Sequence, residues 1–317
     1  MDGSEGGLEF GIGIPQVLAA PRADVEELVR FMARAEELGL ASAWVLEQPI
    51  GMARVLEPLT LLAYAAAITG RIGLGTAVIL APLRAPVALA KELATIDQLS
   101  GGRLVAGLAL GGEPEHYAAF GLPSGGRVRR FEEAVRLLER LWTERTVTFE
   151  GEFWRLDGVS VEPKPVQQPR PPLWFGGGHP SAVRRAARMA DGWIGAGSSS
   201  TERFSEAVGT LREALVAEGR DASTFRVAKR VYVALDADAE RARSRLRRWF
   251  SVLYGNAELA DRVAVFGPPD ACVAGLAAVA KAGARLIVLN PMFDVEEQTE
   301  LLVTEVIPRV PSGVSPR

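Results

Sequence analysis

Short apolar runs alternate with longer stretches of helical spacing along most of the chain. Leu8–Ile14 has the length and apolar content of a buried strand. Asp24 then sits where a helix N-cap belongs, with Glu27 three residues on as in a capping box. Val25, Leu28, Val29, Met32 and Ala35 form an apolar stripe at helical spacing, and Gly39 closes the helix. The alternation repeats. Strands are predicted at 41–46, 72–80, 103–110, 172–176, 193–196, 226–235 and 285–290. Helices are predicted at 58–69, 86–100, 127–143, 181–189 and 295–306. Eight strands alternating with helices imply an α/β fold, a closed (β/α)8 TIM barrel. The competing doubly wound open sheet usually has fewer strands, and no G-x-G-x-x-G follows the first strand here.

The segment 146–170 breaks the rhythm. Alternation at Val147–Phe149 and Phe153–Leu156 predicts a hairpin turning at Glu150–Gly151, followed by a proline-rich return. This insertion after the fourth helix is expected to form a lid or wall at the barrel mouth, or to decorate it. The polar ends, 1–7 and 308–317, are expected to fray, and 1–317 reads as one domain.

Composition narrows the function classes. With 317 residues, 48% hydrophobic and 24% charged, the chain has the make-up of a globular protein. A net charge of -3 argues against nucleic acid as the main partner. One cysteine, Cys272, allows no intrachain disulfide and fits a reducing cytoplasm. The start of the chain lacks the basic and apolar regions of a secretion signal, and no apolar run suggests a membrane span. No His/Cys pattern suggests a metal, and no G-x-S-x-G nucleophile motif occurs. The Arg-rich stretch 241–248 reads as a solvated helix face.

In a TIM barrel the loops after the strand C-termini build the site. After the fifth strand comes Gly176-Gly177-Gly178-His179-Pro180, opening into a helix. It reads as a phosphate cradle, since glycine admits close backbone approach and a helix start offers free N–H groups; a flexible β-to-α turn would also need glycine. After the fourth strand, Gly111-Gly112-Glu113-Pro114-Glu115-His116-Tyr117 joins glycines to an acid–imidazole cluster. Either this cluster contacts a cofactor and moves a proton, or it is solvated surface charge. A cradle, an apolar mouth and few acid–base groups suit an enzyme whose cofactor carries the hard step.

Four strings now resemble a known family: AEELGLASAWV (35–45), RIGLGTAVILAPLRAPVALAKELATIDQLSGGRLVAGLALGG (71–112), RFEEAVRLLERLWT (130–143) and PKPVQQPRPPLWFGGGHPSAVRRAARMADGW (163–193). They resemble the bacterial-luciferase-like monooxygenase superfamily, especially its coenzyme F420-dependent oxidoreductase branch. The resemblance implies a non-proline cis peptide at Ala77–Val78, in a bulge that backs the (deaza)flavin ring. It implies that Gly111, Gly112 and Glu113 touch the ring, with Glu113 or Glu115 as proton donor beside His116. Gly177, Gly178 and His179 would hold the ribityl-phosphate arm. Glu47 and Gln48 stand where F420-dependent members usually carry Asp-His, so Gln48 departs from a histidine-based mechanism.

The reading that follows is hydride exchange between F420 and a small organic substrate. The alternative is an FMN-dependent monooxygenase using reduced FMN, from a separate flavin reductase, and O2. A non-catalytic flavin-binding protein is a further alternative. The resemblance also implies a homodimer, through Leu61–Ala67 and Val87–Leu93 on the second and third helices, although those faces could simply pack on the barrel.

Overall fold

The structure is a computed structural model that describes residues 7–18, 20–111 and 114–311; for Pro114 and Glu115 it describes the backbone alone. Among these, eight parallel strands close on themselves: β1 Glu9–Gly13, β2 Ser42–Val45, β3 Gly73–Thr76, β4 Leu104–Ala109, β5 Leu173–Gly176, β6 Gly192–Gly195, β7 Arg226–Leu235 and β8 Leu286–Pro291. Closure is direct, with Glu9 of β1 opposite Leu286 of β8, and the fold is a TIM barrel.

Alternation along the strands separates two cores. Val227, Val231, Val233, Ile287 and Leu289 point outward against the helices. Trp44, Val105, Trp174, Ile194, Ala228, Leu286 and Val288 fill the interior. Two tryptophans fit inside because neighbouring strands carry glycine there. A Cβ on Gly75 would stand 2.4 Å from the Trp44 ring, and one on Gly192 would stand 2.7 Å from Trp174 Nε1. The Trp44 and Trp174 rings lie 5.3 Å apart and floor the mouth.

The first helix, α1 Val25–Glu37, begins as expected: Asp24 accepts from the Glu27 N–H at 2.9 Å, and Gly39 is left-handed beyond the end. Its buried stripe is Leu28, Phe31, Met32 and Ala35. Val25 and Val29 are exposed, at 53% and 36%, so that part of the expected stripe is corrected. Phe31, the largest apolar side chain of the helix, sets which face turns inward.

Of the two roles expected for the insertion, it decorates the barrel and forms no lid or wall at the clefts described below. Val147–Glu150 and Arg155–Val159 do form an antiparallel hairpin. It lies on the outside of the helix α4, Arg127–Thr143, where buried Glu133 accepts from the N–H groups of Glu152, Phe153 and Trp154 at 2.9–3.0 Å. The return segment runs across the closed end of the barrel. Lys164 caps the carbonyls of Leu141 and Glu144, and Gln167 pairs with Asp97 and the Leu104 carbonyl. None of its residues lines either large cleft described below. Glu133→Ala is therefore expected to loosen the hairpin tip, lowering stability by about 2 kcal/mol and opening Phe153–Trp154 to chymotrypsin, while cofactor affinity stays unchanged. Proteolysis and cofactor titration of one preparation check both halves.

The excursion that does reach the mouth follows β7. The helix α7, Ala239–Tyr254, is followed by a short helix Leu259–Val263 and a strand Val265–Gly267 that pairs with Val233–Leu235. It buries Ala242, Leu246 and Phe250 against Tyr232 and Ala234. Its arginines are ion-paired rather than simply solvated: Arg241 with Asp236, Arg243 and Arg247 with Asp261, Arg245 with Asp294. The helices Thr201–Ala217 and Pro269–Lys281 complete the ring on this side.

Candidate functional site

The bulge on the third strand is real geometry. β3 stops at Thr76, the Ala77–Val78 peptide is cis, and Ile79–Leu80 resumes pairing with β4. The chain must buckle toward β4 here, and glycine permits it: a Cβ on Gly107 would lie 1.8 Å from the Thr76 carbonyl oxygen. The Thr76 hydroxyl secures the junction, donating to the Gly107 carbonyl at 2.7 Å and accepting from its N–H at 2.8 Å. Ala77 and Val78 stay partly exposed above the tryptophan floor.

Two glycine loops meet this bulge. A Cβ on Gly176 would contact Val78 at 3.1 Å, and one on left-handed Gly111 would contact Leu80 at 3.3 Å. Between the loops lies a cleft of about 570 Å³, lined among others by Leu80, Gly111, Arg127, Phe175, Gly177 and His179. That is the size of a cofactor pocket. His179 caps the helix α5, Pro180–Met189, through its ring nitrogen, and the Trp193 indole holds the Gly177 carbonyl at 2.9 Å. Arg185, one turn into that helix, lines the cleft while its Nε donates to Glu132 at 2.9 Å. Helix start, imidazole and two guanidinium groups together suit an anion.

Gly111, Gly177, Gly178 and His179 thus line one cleft, with Val78 against its Gly176 and Ala77 over the interior cluster. Gly112 and Glu113 lie outside the described residues, as does the Glu115 side chain. His116 is on a short helix, Pro114–Ala119, and is half-buried. Buried Tyr117 ties that helix down by donating to the Leu110 carbonyl at 2.7 Å.

Glu47 and Gln48 stand apart from this cleft. They line a separate groove of about 670 Å³ with Glu57, Arg84, Glu92 and Phe120. The Glu47 carboxylate, 6% exposed, is taken up by Arg84 and the Leu80 N–H. It therefore braces the segment after the bulge from behind. The Gln48 amide folds over Gly51.

Sequence reading missed Arg127, Arg185 and Tyr117, and it missed two cations on β7. Lys229 points outward, 2% exposed, and donates to the Ala196 carbonyl and to the Ser199 carbonyl and hydroxyl, fixing the loop after β6. Burial, then the neighbouring Arg230 charge, pushes its ammonium down to about 7. An unfolded lysine keeps its proton up to its ordinary value of 10.5. Between those values the unfolded chain holds a proton that the folded chain has released, so Lys229 makes stability rise with pH across that window and adds no slope below it. Melting from pH 7 to 9.5 is expected to show wild type gaining stability relative to Lys229→Met.

Arg230 points inward, donating to the Ala77 carbonyl at 3.3 Å and to the Tyr232 hydroxyl. The alternation of β7 was the available signal, since it puts Ala228, Arg230 and Tyr232 on one face.

A group of three or more His, Cys, Asp or Glu residues able to hold a metal is absent among the described residues, and no helix among them is long and apolar enough to cross a membrane. The family model described as luciferase-like monooxygenase matches residues 8–286. The F420-dependent glucose-6-phosphate dehydrogenase of Kineococcus radiotolerans is 34% identical over 232 residues, covering 70% of this chain and 68% of that protein. The FMNH2-dependent dimethylsulfone monooxygenase of Pseudomonas putida is 35% identical over 137 residues, covering 42% of this chain and 38% of that protein. Among solved structures, a monooxygenase from Streptomyces bottropensis superposes with a TM-score of 0.82 at 25% identity, covering 95% of this chain and 99% of that one.

Proposed function

We propose, since this chain belongs to the luciferase-like monooxygenase family, that it exchanges a hydride between coenzyme F420 and a small organic substrate. The protein is a flavin- or deazaflavin-dependent oxidoreductase. The observation that carries the reading is the meeting of the Ala77–Val78 bulge with the two glycine loops in one anion-ready cleft. The choice of F420 is supported by the breadth of the likeness to the Kineococcus enzyme, which is much greater than that to the FMNH2-dependent one.

The residues fit such a group. Gly177, Gly178 and His179, with Arg127 and Arg185, would hold its phosphate. Ala77 and Val78 would back the ring, and Gly111 and Gly112 would close over it. When bound, the deazaflavin supplies hydride transfer at ring position 5. Glu113, Glu115 and His116 are the groups for moving a proton at the substrate. Glu47 acts as a positioning residue, holding the Leu80 N–H behind the bulge, and Gln48 serves through hydrogen bonding alone. The chain works as one barrel domain in the cytoplasm and pairs with a second copy through the helices Pro58–Ile68 and Pro86–Ser100.

One observation favours FMN instead: the loop after β2 carries Gln48, which cannot exchange a proton near neutral pH. Under that reading a separate reductase delivers reduced FMN and O2 is the second substrate. Titrating the apo-protein with F420 and with FMN decides the matter. Tight F420 binding is the expected result, and tight FMN binding without F420 binding would overturn it.

A further inference from the structure

The mouth has two unlike walls. The cofactor cleft occupies the side of β4 and β5. Past β6, β7 and the helix Ala239–Tyr254 form a second wall around an aromatic cluster with rings 4.9–6.3 Å apart, in which Tyr232 and Phe250 are fully buried while Tyr254 reaches the surface. Arg230 lies at the foot of that wall and reaches across the interior to the Ala77 carbonyl.

A guanidinium in such a place is costly unless an anion compensates it. Among the described residues Arg230 has no carboxylate partner, and its neighbour Lys229 has none either. What Arg230 does have is neutral: one carbonyl and the Tyr232 hydroxyl, which is bonded in turn to Tyr254 at 2.6 Å. Its Nε–H is fully buried and unpartnered. The rest of the side chain is partly exposed. The loop after β6 closes in beside it, since a Cβ on Gly197 would fall 3.2 Å from Nε. Lys229, on the outward face, fixes the same loop from behind.

We infer that Arg230, backed by Tyr232 and Tyr254, is the recognition point for an acidic oxygen of the substrate, and that the enzyme therefore takes organic acids whose carboxylate is held by this guanidinium. The planar fork of arginine suits a carboxylate. This assignment rests on the mouth being the substrate site of the proposed oxidoreductase.

The test uses apo-protein and calorimetry at constant ionic strength. Benzoate and butyrate are titrated against benzamide and butyramide, which keep the shape and lose the charge. Wild type should prefer each acid to its amide by about tenfold or more. Arg230→Gln should lose that preference, and Arg230→Lys should keep part of it. If Arg230→Gln does not fold, as its melting profile would show, Tyr254→Phe stands in, since that ring is at the surface and the acid preference should fall several-fold. Equal binding of acid and amide by wild type overturns the inference, as does an acid preference that survives the substitution. Repeating the titration on FMN-loaded and F420-loaded protein separates the two sources of negative charge. If a loaded cofactor abolishes acid binding and Arg230→Gln makes the potential of bound FMN more negative, the guanidinium serves the ring and the substrate assignment falls. If neither cofactor binds, the proposed function fails while the acid titration still decides this inference.

Discussion

Gly177→Leu is expected to weaken binding of F420 or FMN at least ~100-fold, about 2.7 kcal/mol, in a fluorescence titration of the apo-protein. Two effects combine. Gly177 has a φ of +116°, a region that L side chains rarely adopt, and its Cβ would meet Ala182 at 3.1 Å. The new side chain would also enter the cleft that the cofactor must fill. Stability should fall by only about 1–2 kcal/mol, because the loop is at the surface of the barrel. A variant that binds the cofactor as wild type does would remove the phosphate role from this loop.

Gly107→Ala should do the opposite, harming the fold first. The added methyl group would sit 1.8 Å from the Thr76 carbonyl oxygen, inside a junction closed by two Thr76 hydrogen bonds. Neither backbone can retreat without breaking the pairing of β3 with β4. The expected loss is about 3 kcal/mol or more, seen in denaturant unfolding, with soluble protein recovered poorly at 37 °C. A variant as stable as wild type would show that the bulge is supported elsewhere.

The barrel was legible because its signals are local. Each strand is a short apolar run bounded by turn residues, and the observed strands begin and end within a few residues of the expected positions. The glycine loops were legible for a similar reason, since glycine announces positive φ or close approach. Pairings across the chain were not. Nothing near Glu47 in the sequence says that Arg84 will take its carboxylate, and without that contact Glu47 looks free to meet a ligand. The hairpin stayed open between lid and decoration because its length says nothing of which end of the barrel it covers. Glu133, which decides this, looks like any acid on a helix. The excursion after β7 was overlooked because its arginines dominate the sequence, while Ala242, Leu246 and Phe250 make a narrow apolar stripe.

The division of the mouth has a practical side. The aromatic cluster of Tyr232, Trp249, Phe250 and Tyr254 beside the mouth comes mainly from one contiguous excursion, residues 236–267, whose ends are pinned beside each other where Asp236 N–H meets the Gly267 carbonyl at 3.0 Å. A segment with adjacent ends can be exchanged between homologues as a cassette, leaving the rest of the chain in place. Libraries or chimaeras confined to it offer a route to altered reactant choice in which the redox machinery is inherited intact.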